Sequence, residues 1–125
     1  MIDRLDHLVL TVHSVARSCD FYVRGLGMTA QTVDGRTALL FGQQKLNLHP
    51  ADGPPIRPRA HAPTPGSADF CLIADRPLEA VMVLLDERGL SVELGPVDRI
   101  GRAGPMRSIN LRDPDDNLVE ISAYR

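Results

Sequence analysis

Four short runs of this chain hold residue types that bind metal ions or move protons. LDHLVLTV carries His7 near its start, and SADFCLIA, which opens the second half, carries Asp69 at the matching place. Lys45-Leu46-Asn47-Leu48-His49 alternates polar with apolar residues and ends on an imidazole. In Asn117-Leu118-Val119-Glu120-Ile121, Glu120 stands inside an apolar run. A carboxylate in a buried strand is costly unless it is paired or coordinated, which marks Glu120 as a ligand or a catalytic group. The competing reading is an ion pair with one of the thirteen Arg, or an edge position facing water. A single His in a strand is by default a hydrogen-bonded core residue, and His49, just before Pro50, reads equally well as a surface residue. Two imidazoles and two carboxylates taken together suit Fe, Mn, Co, Ni or Zn better than Ca or Mg. Lys45, Asn47, Arg107, Ser108 and Asn110 lie on strands expected to border the same cleft, where they would orient an anionic substrate; solvent-facing strand polarity is the alternative.

The elements that must position these groups follow from periodicity. Leu5 to Val12 reads as a half-buried strand, Ser14 as an N-cap, and Val15 to Gly25 as a helix with one apolar stripe. Met28 to Val33 and Thr37 to Phe41 flank Asp34-Gly35, a strong hairpin signal, and Lys45 to His49 is a fourth strand. Residues 50–66, with six Pro, suit neither helix nor central strand and read as a linker or long loop. The pattern then restarts: a strand over Ser67 to Ala74, a helix over Pro77 to Arg88, a short strand over Leu90 to Leu94, and two closing strands at Met106 to Arg112 and Asn117 to Ser122. The loop between, Gly95 to Pro105, carries glycines spaced to let it close as a lid; an ordinary surface loop is the equal alternative. Both halves thus read β-α-β-β-β, giving an α+β chain of two modules, 1–49 and 67–125, joined by 50–66. Their sheets are expected to pair into a curved, barrel-like mixed sheet around a cleft.

Composition narrows the function classes. The 125 residues, 43% hydrophobic and 24% charged, match an average soluble domain, and a core can form at this length without staples. A formal charge of -2 and the absence of a basic stripe argue against nucleic acid. Cys19 and Cys71 lie outside any CxxC spacing and read as small buried hydrophobes. The N-terminus lacks a basic region followed by an apolar core, and no apolar run approaches a membrane span, so a soluble cytoplasmic protein is expected.

LDHLVLTVHSVARSCDFYVRGLGM and RDPDDNLVEIS carry a more specific signal. They resemble the vicinal oxygen chelate superfamily, with its strand His, its FY…LG helix exit and its DPDGxxxE closing hairpin; the superfamily includes glyoxalase I, extradiol dioxygenases, fosfomycin-resistance thiol transferases and bleomycin-binding proteins. FGQQKLNLHP and PGSADFCLI are most similar to its group named glyoxalase domain-containing protein 5. The resemblance covers essentially the whole chain. It implies a homodimer, a divalent transition metal, and catalysis through a chelated intermediate of a small vicinal-oxygen substrate. Residue by residue, it makes His7 and Glu120 metal ligands. Asp69 replaces the usual second-module His, and either His49 or Asn47 stands on the strand that supplies the remaining ligand. Glu120 or Asp69 would be the general base. The second carboxylate favours lyase or isomerase chemistry; the alternatives are an extradiol-type dioxygenase and a metal-free protein that sequesters a drug or metabolite.

Overall fold

Alternation along the two paired parallel strands builds the centre of the first sheet. In strand β1 (His7–Val12) and strand β4 (Gln44–Pro50), Leu10, Val12, Leu46 and Leu48 are buried, while the residues between them turn to the other face. The computed structural model describes residues 1–125 as two units, Met1–Ser67 and Ala68–Arg125. The first continues through helix α1 (Val15–Cys19), β2 (Thr29–Val33) and β3 (Arg36–Phe41); the second comprises β5 (Asp69–Ile73), α2 (Leu78–Glu87), β6 (Leu94–Gly101), β7 (Gly104–Arg112) and β8 (Leu118–Tyr124). The α+β class and the two βαβββ modules are as expected. The strands pair as two separate mixed sheets, β1-β4-β3-β2 and β5-β8-β7-β6, and these are not closed into a barrel. In each, the first strand runs parallel to the last, so that last strand lies inside the sheet.

In the first unit Ser14 caps α1, its Oγ accepting from the Arg17 N–H at 3.2 Å. A single helix to Gly25 was the expectation. Instead α1 ends at Cys19 and the chain winds on as a π-helix over Asp20–Gly25, with the Leu26 N–H donating to the Phe21 carbonyl five residues back. The wider winding accompanies the burial of adjacent rings, Phe21 and Tyr22, which meet edge-on with centroids 4.8 Å apart. Asp34 and Gly35 both take positive φ, as a two-residue hairpin turn requires, and the Thr32 and Thr37 hydroxyls bond across the strands beside it at 3.0 Å.

In the second unit Ile109, Leu111, Val119 and Ile121 form one buried parity, and Leu78 and Leu85 are the buried residues of α2. The expected short strand at 90–94 and the glycine-hinged lid after it are corrected here: β6 occupies Leu94–Gly101. Gly and Pro misled because β6 is an edge strand, where a missing N–H is tolerated. The register shifts between Leu94 and Val97, so a bulge absorbs Gly95 and Pro96. Gly95 has φ +112°, and a Cβ there would lie 2.5 Å from the Ser108 carbonyl oxygen; glycine is what lets β6 approach β7. Residues 51–68 contain neither helix nor strand. No helix is long and apolar enough to cross a membrane.

Candidate functional site

Val119 and Ile121 take the buried apolar parity of β8, so Glu120 and Ser122 project from the opposite face. Register sets Cys71, Glu120 and Asn110 in one row across β5, β8 and β7, and Ile73, Ser122 and Ser108 in the next. Ser108 and Ser122 are fully buried, with their hydroxyls 2.6 Å apart, and the Cys71 sulfur lies 3.2 Å from the Ser122 hydroxyl. Cys71 belongs to an exposed edge strand, yet its thiol packs against these groups and also bonds to Glu120. Local burial raises the Cys71 pKa above the usual thiol range; the Ser122 hydrogen bond pulls it down, and the Glu120 charge and hydrogen bond push it up again. The thiol therefore stays protonated and serves Glu120 as a hydrogen-bond donor.

Both bland readings of Glu120 fail. It stands on an inner strand, half-buried, and none of the ion pairs in the molecule involves it. Asn110, directly across on β7, is also half-buried, and its side chain makes no hydrogen bond. An unpaired carboxylate beside an unpaired amide offers a proton acceptor next to a hydrogen-bond donor. Asp69 shares this face on the edge strand β5, paired with Leu118 and diagonal to Glu120; it is exposed, and its charge reaches Arg112, whose guanidinium is bound to Glu93. Arg107 departs from the expected grouping. It follows the parity of Ile109 and bonds to Glu79 of α2, on the face away from Ser108 and Asn110. Cys71 and Ser122 were not among the sequence candidates, although each lies two residues or one strand from a residue that was.

The first unit gathers the other candidates. His7, Lys45, Asn47 and His49 share the face opposite the buried leucines, with His7 beside Lys45, Val9 beside Asn47, and Thr11 beside His49. His7 donates from Nδ1 to Asp6 at 2.8 Å, which holds the Asp6 carboxyl below its usual range. Burial lowers the pKa of His49, and the charge of Arg36 lowers it further.

Register tests the metal-ligand set. His7 and His49 stand four residues apart along neighbouring strands, which is about 13 Å at the strand rise. One ion cannot take both. Nor does any group of three or more His, Cys, Asp or Glu come together in a way that could hold a metal ion. The four-residue set is divided between the two units, His7 and His49 on the first and Asp69 and Glu120 on the second. Elemental analysis after incubation with divalent metal should find uptake unchanged by His49→Ala; a selective loss in that variant would overturn the separation read from the register.

Comparison with known proteins adds the family. The sequence profile of the Glyoxalase/Bleomycin resistance protein/Dioxygenase superfamily matches residues 4–121. A virulence protein of Salmonella typhimurium is 47% identical over 125 residues, covering 99% of this chain and 86% of its own. Its crystal structure superposes with a TM-score of 0.96 over 100% of this chain and 99% of that one. A glyoxalase domain-containing protein of Mycosarcoma maydis is 47% identical over 122 residues, 97% of this chain and 68% of its own.

Proposed function

The chain belongs to the Glyoxalase/Bleomycin resistance protein/Dioxygenase superfamily, and from that premise we propose that it is a lyase or isomerase acting on a small oxygen-rich carbonyl compound, with Glu120 as its base. One observation carries the reading: Glu120 is a half-buried carboxylate on an inner strand, with no cation paired to it, in a chain of thirteen Arg. Structural carboxylates at such depth are normally paired, and unpaired ones are where proton chemistry is found.

The chemistry follows from the neighbours. The Glu120 carboxylate accepts a proton from the carbon next to the substrate carbonyl. The electron pair of that C–H bond forms a carbon–carbon double bond and the carbonyl π pair moves onto oxygen, a developing charge that we assign to the Asn110 amide, across from Glu120 on β7, to receive with a hydrogen bond. Where the deprotonated carbon bears a hydroxyl, return of the proton to the former carbonyl carbon, with the hydroxyl proton passing to the former carbonyl oxygen, completes an isomerisation with no net oxidation. The Cys71 thiol, itself held by Ser122, donates to Glu120 and fixes its orientation without neutralising it. Asp69, exposed and within the field of Arg112, is the weaker candidate for the base.

The test is exchange of the hydrogen next to the carbonyl in heavy water, followed by proton NMR over a panel of small hydroxycarbonyl and dicarbonyl compounds. Each sample is run with chelator and with added divalent metal, which separates transfer by side chains alone from metal-assisted chemistry. Exchange of at least one compound, in the presence of chelator and dependent on Glu120, is expected. Saturable binding with no exchange anywhere in the panel would replace this reading with that of a binding protein.

A further inference from the structure

On the first sheet, Lys45, Asn47 and His49 occupy alternate positions of β4, an inner strand flanked by β1 and β3. All three are half-buried, and none of their side chains forms a hydrogen bond or an ion pair. Arg36 joins them from β3: Thr37 pairs with Leu48, so one further step of the antiparallel register sets Arg36 beside His49, close enough for its charge to act on the imidazole. Arg36 has no acidic partner, unlike Arg24, Arg76, Arg107, Arg112 and Arg125.

The rest of that face supplies no acceptor charge. Thr11 and Val9 flank His49 and Asn47 on β1, and Ala38 flanks Asn47 on β3. Asp6, at the other end of this face, is bonded to His7 and felt by Lys45. A guanidinium and an imidazole side by side, next to an unused amide on an inner strand, leave donors with nothing to donate to. An anion removes that mismatch. The guanidinium gives a planar fork, the amide and the imidazole one N–H each, and Lys45 a point charge about 7 Å further along the strand from Asn47.

We infer that Arg36, Asn47 and His49, with Lys45 behind them, form a binding subsite for an anionic oxygen group, a carboxylate or a phosphate. The subsite stands on the first unit alone and does not depend on Glu120 acting as a base.

The test titrates the full chain with inorganic phosphate in one arm and acetate in the other. Ionic strength is held constant with sodium chloride, and backbone amide shifts are followed by NMR. Saturable shifts centred on residues 36 and 45–49 are expected in at least one arm, and the tighter arm identifies the group. Arg36→Gln and Asn47→Ala should each weaken binding by about tenfold or more, as expected for losing a hydrogen bond to a charged group. Arg99→Gln, an exposed arginine of β6, should leave it unchanged. Shifts that do not saturate in either arm, or that persist unaltered in both Arg36→Gln and Asn47→Ala, would overturn the subsite. Arg36 is exposed, so its replacement leaves the core intact.

Discussion

Asp113→Ala is expected to lower the free energy of unfolding by about 3–5 kcal/mol, the largest single-residue loss in the second unit outside the apolar core. Asp113 is 4% exposed. One carboxylate oxygen accepts the N–H groups of Asp115 and Asn117, each at 2.9 Å, and the other accepts the Asn117 side-chain amide at 2.8 Å. Asn117, 1% exposed, passes the connection on: its Oδ1 accepts the Ala68 N–H at 2.9 Å, and the Leu118 N–H bonds to the Ala68 carbonyl at 3.0 Å. The turn between β7 and β8 is thereby tied to the entry of β5, the strand of Asp69 and Cys71. Ala at 113 strands three donors, two of them buried and one partly buried, which sets the magnitude. Asp113→Asn keeps an acceptor but turns an amide N–H₂ toward the Asn117 amide, and should cost roughly half as much. The check is denaturant unfolding with an unchanged m value. A loss below about 1 kcal/mol in Asp113→Ala would show that the turn is held by its backbone alone.

That clamp clarifies what the closing motif means. RDPDDNLVE carries the family resemblance, and read as residue types it offers several acids that look chemical. Asp113 and Asn117 are spent on the turn, and Glu120 is the acid of the motif that reaches the polar face. Asp at the first position of a turn, followed four residues on by Asn, already carries this structural meaning. Arg107 and Ser108 are adjacent in a strand and so cannot share a face, which by itself separates Arg107 from Asn110. Ser122 lies two residues from Glu120 and was equally within reach.

Other features lay outside a one-dimensional reading. The distance between His7 and His49 depends on which residues pair across β1 and β4, and alternation is silent on that offset. The meeting of Arg36 with His49 depends in the same way on the β3–β4 register. The strand β6 was hidden because Gly95 and Pro96 look like loop residues until an edge position and a bulge give them a place. The π-helical turn after α1 leaves the apolar stripe almost unchanged, so periodicity reports a helix and misses its winding.

Glu120→Gln is expected to reduce proton exchange and turnover by about 10²- to 10⁴-fold, the range for removal of a positioned general base. The same substitution should leave folding stability unchanged or slightly higher. The amide has nearly the volume of the carboxylate and keeps an oxygen that accepts from the Cys71 thiol. It also removes a half-buried carboxylate that has no cationic partner, so no ion pair is lost. Opposite movement of activity and stability is the signature of a group kept for chemistry rather than for packing. Asp69→Asn, at an exposed edge position, should reduce exchange far less, because that carboxylate lies farther from Asn110. Exchange rates from proton NMR and unfolding curves on the same preparations decide the matter. If Glu120→Gln loses stability by more than about 1 kcal/mol and its activity falls only as its folded fraction does, Glu120 is a structural carboxylate and the proton acceptor must be sought elsewhere.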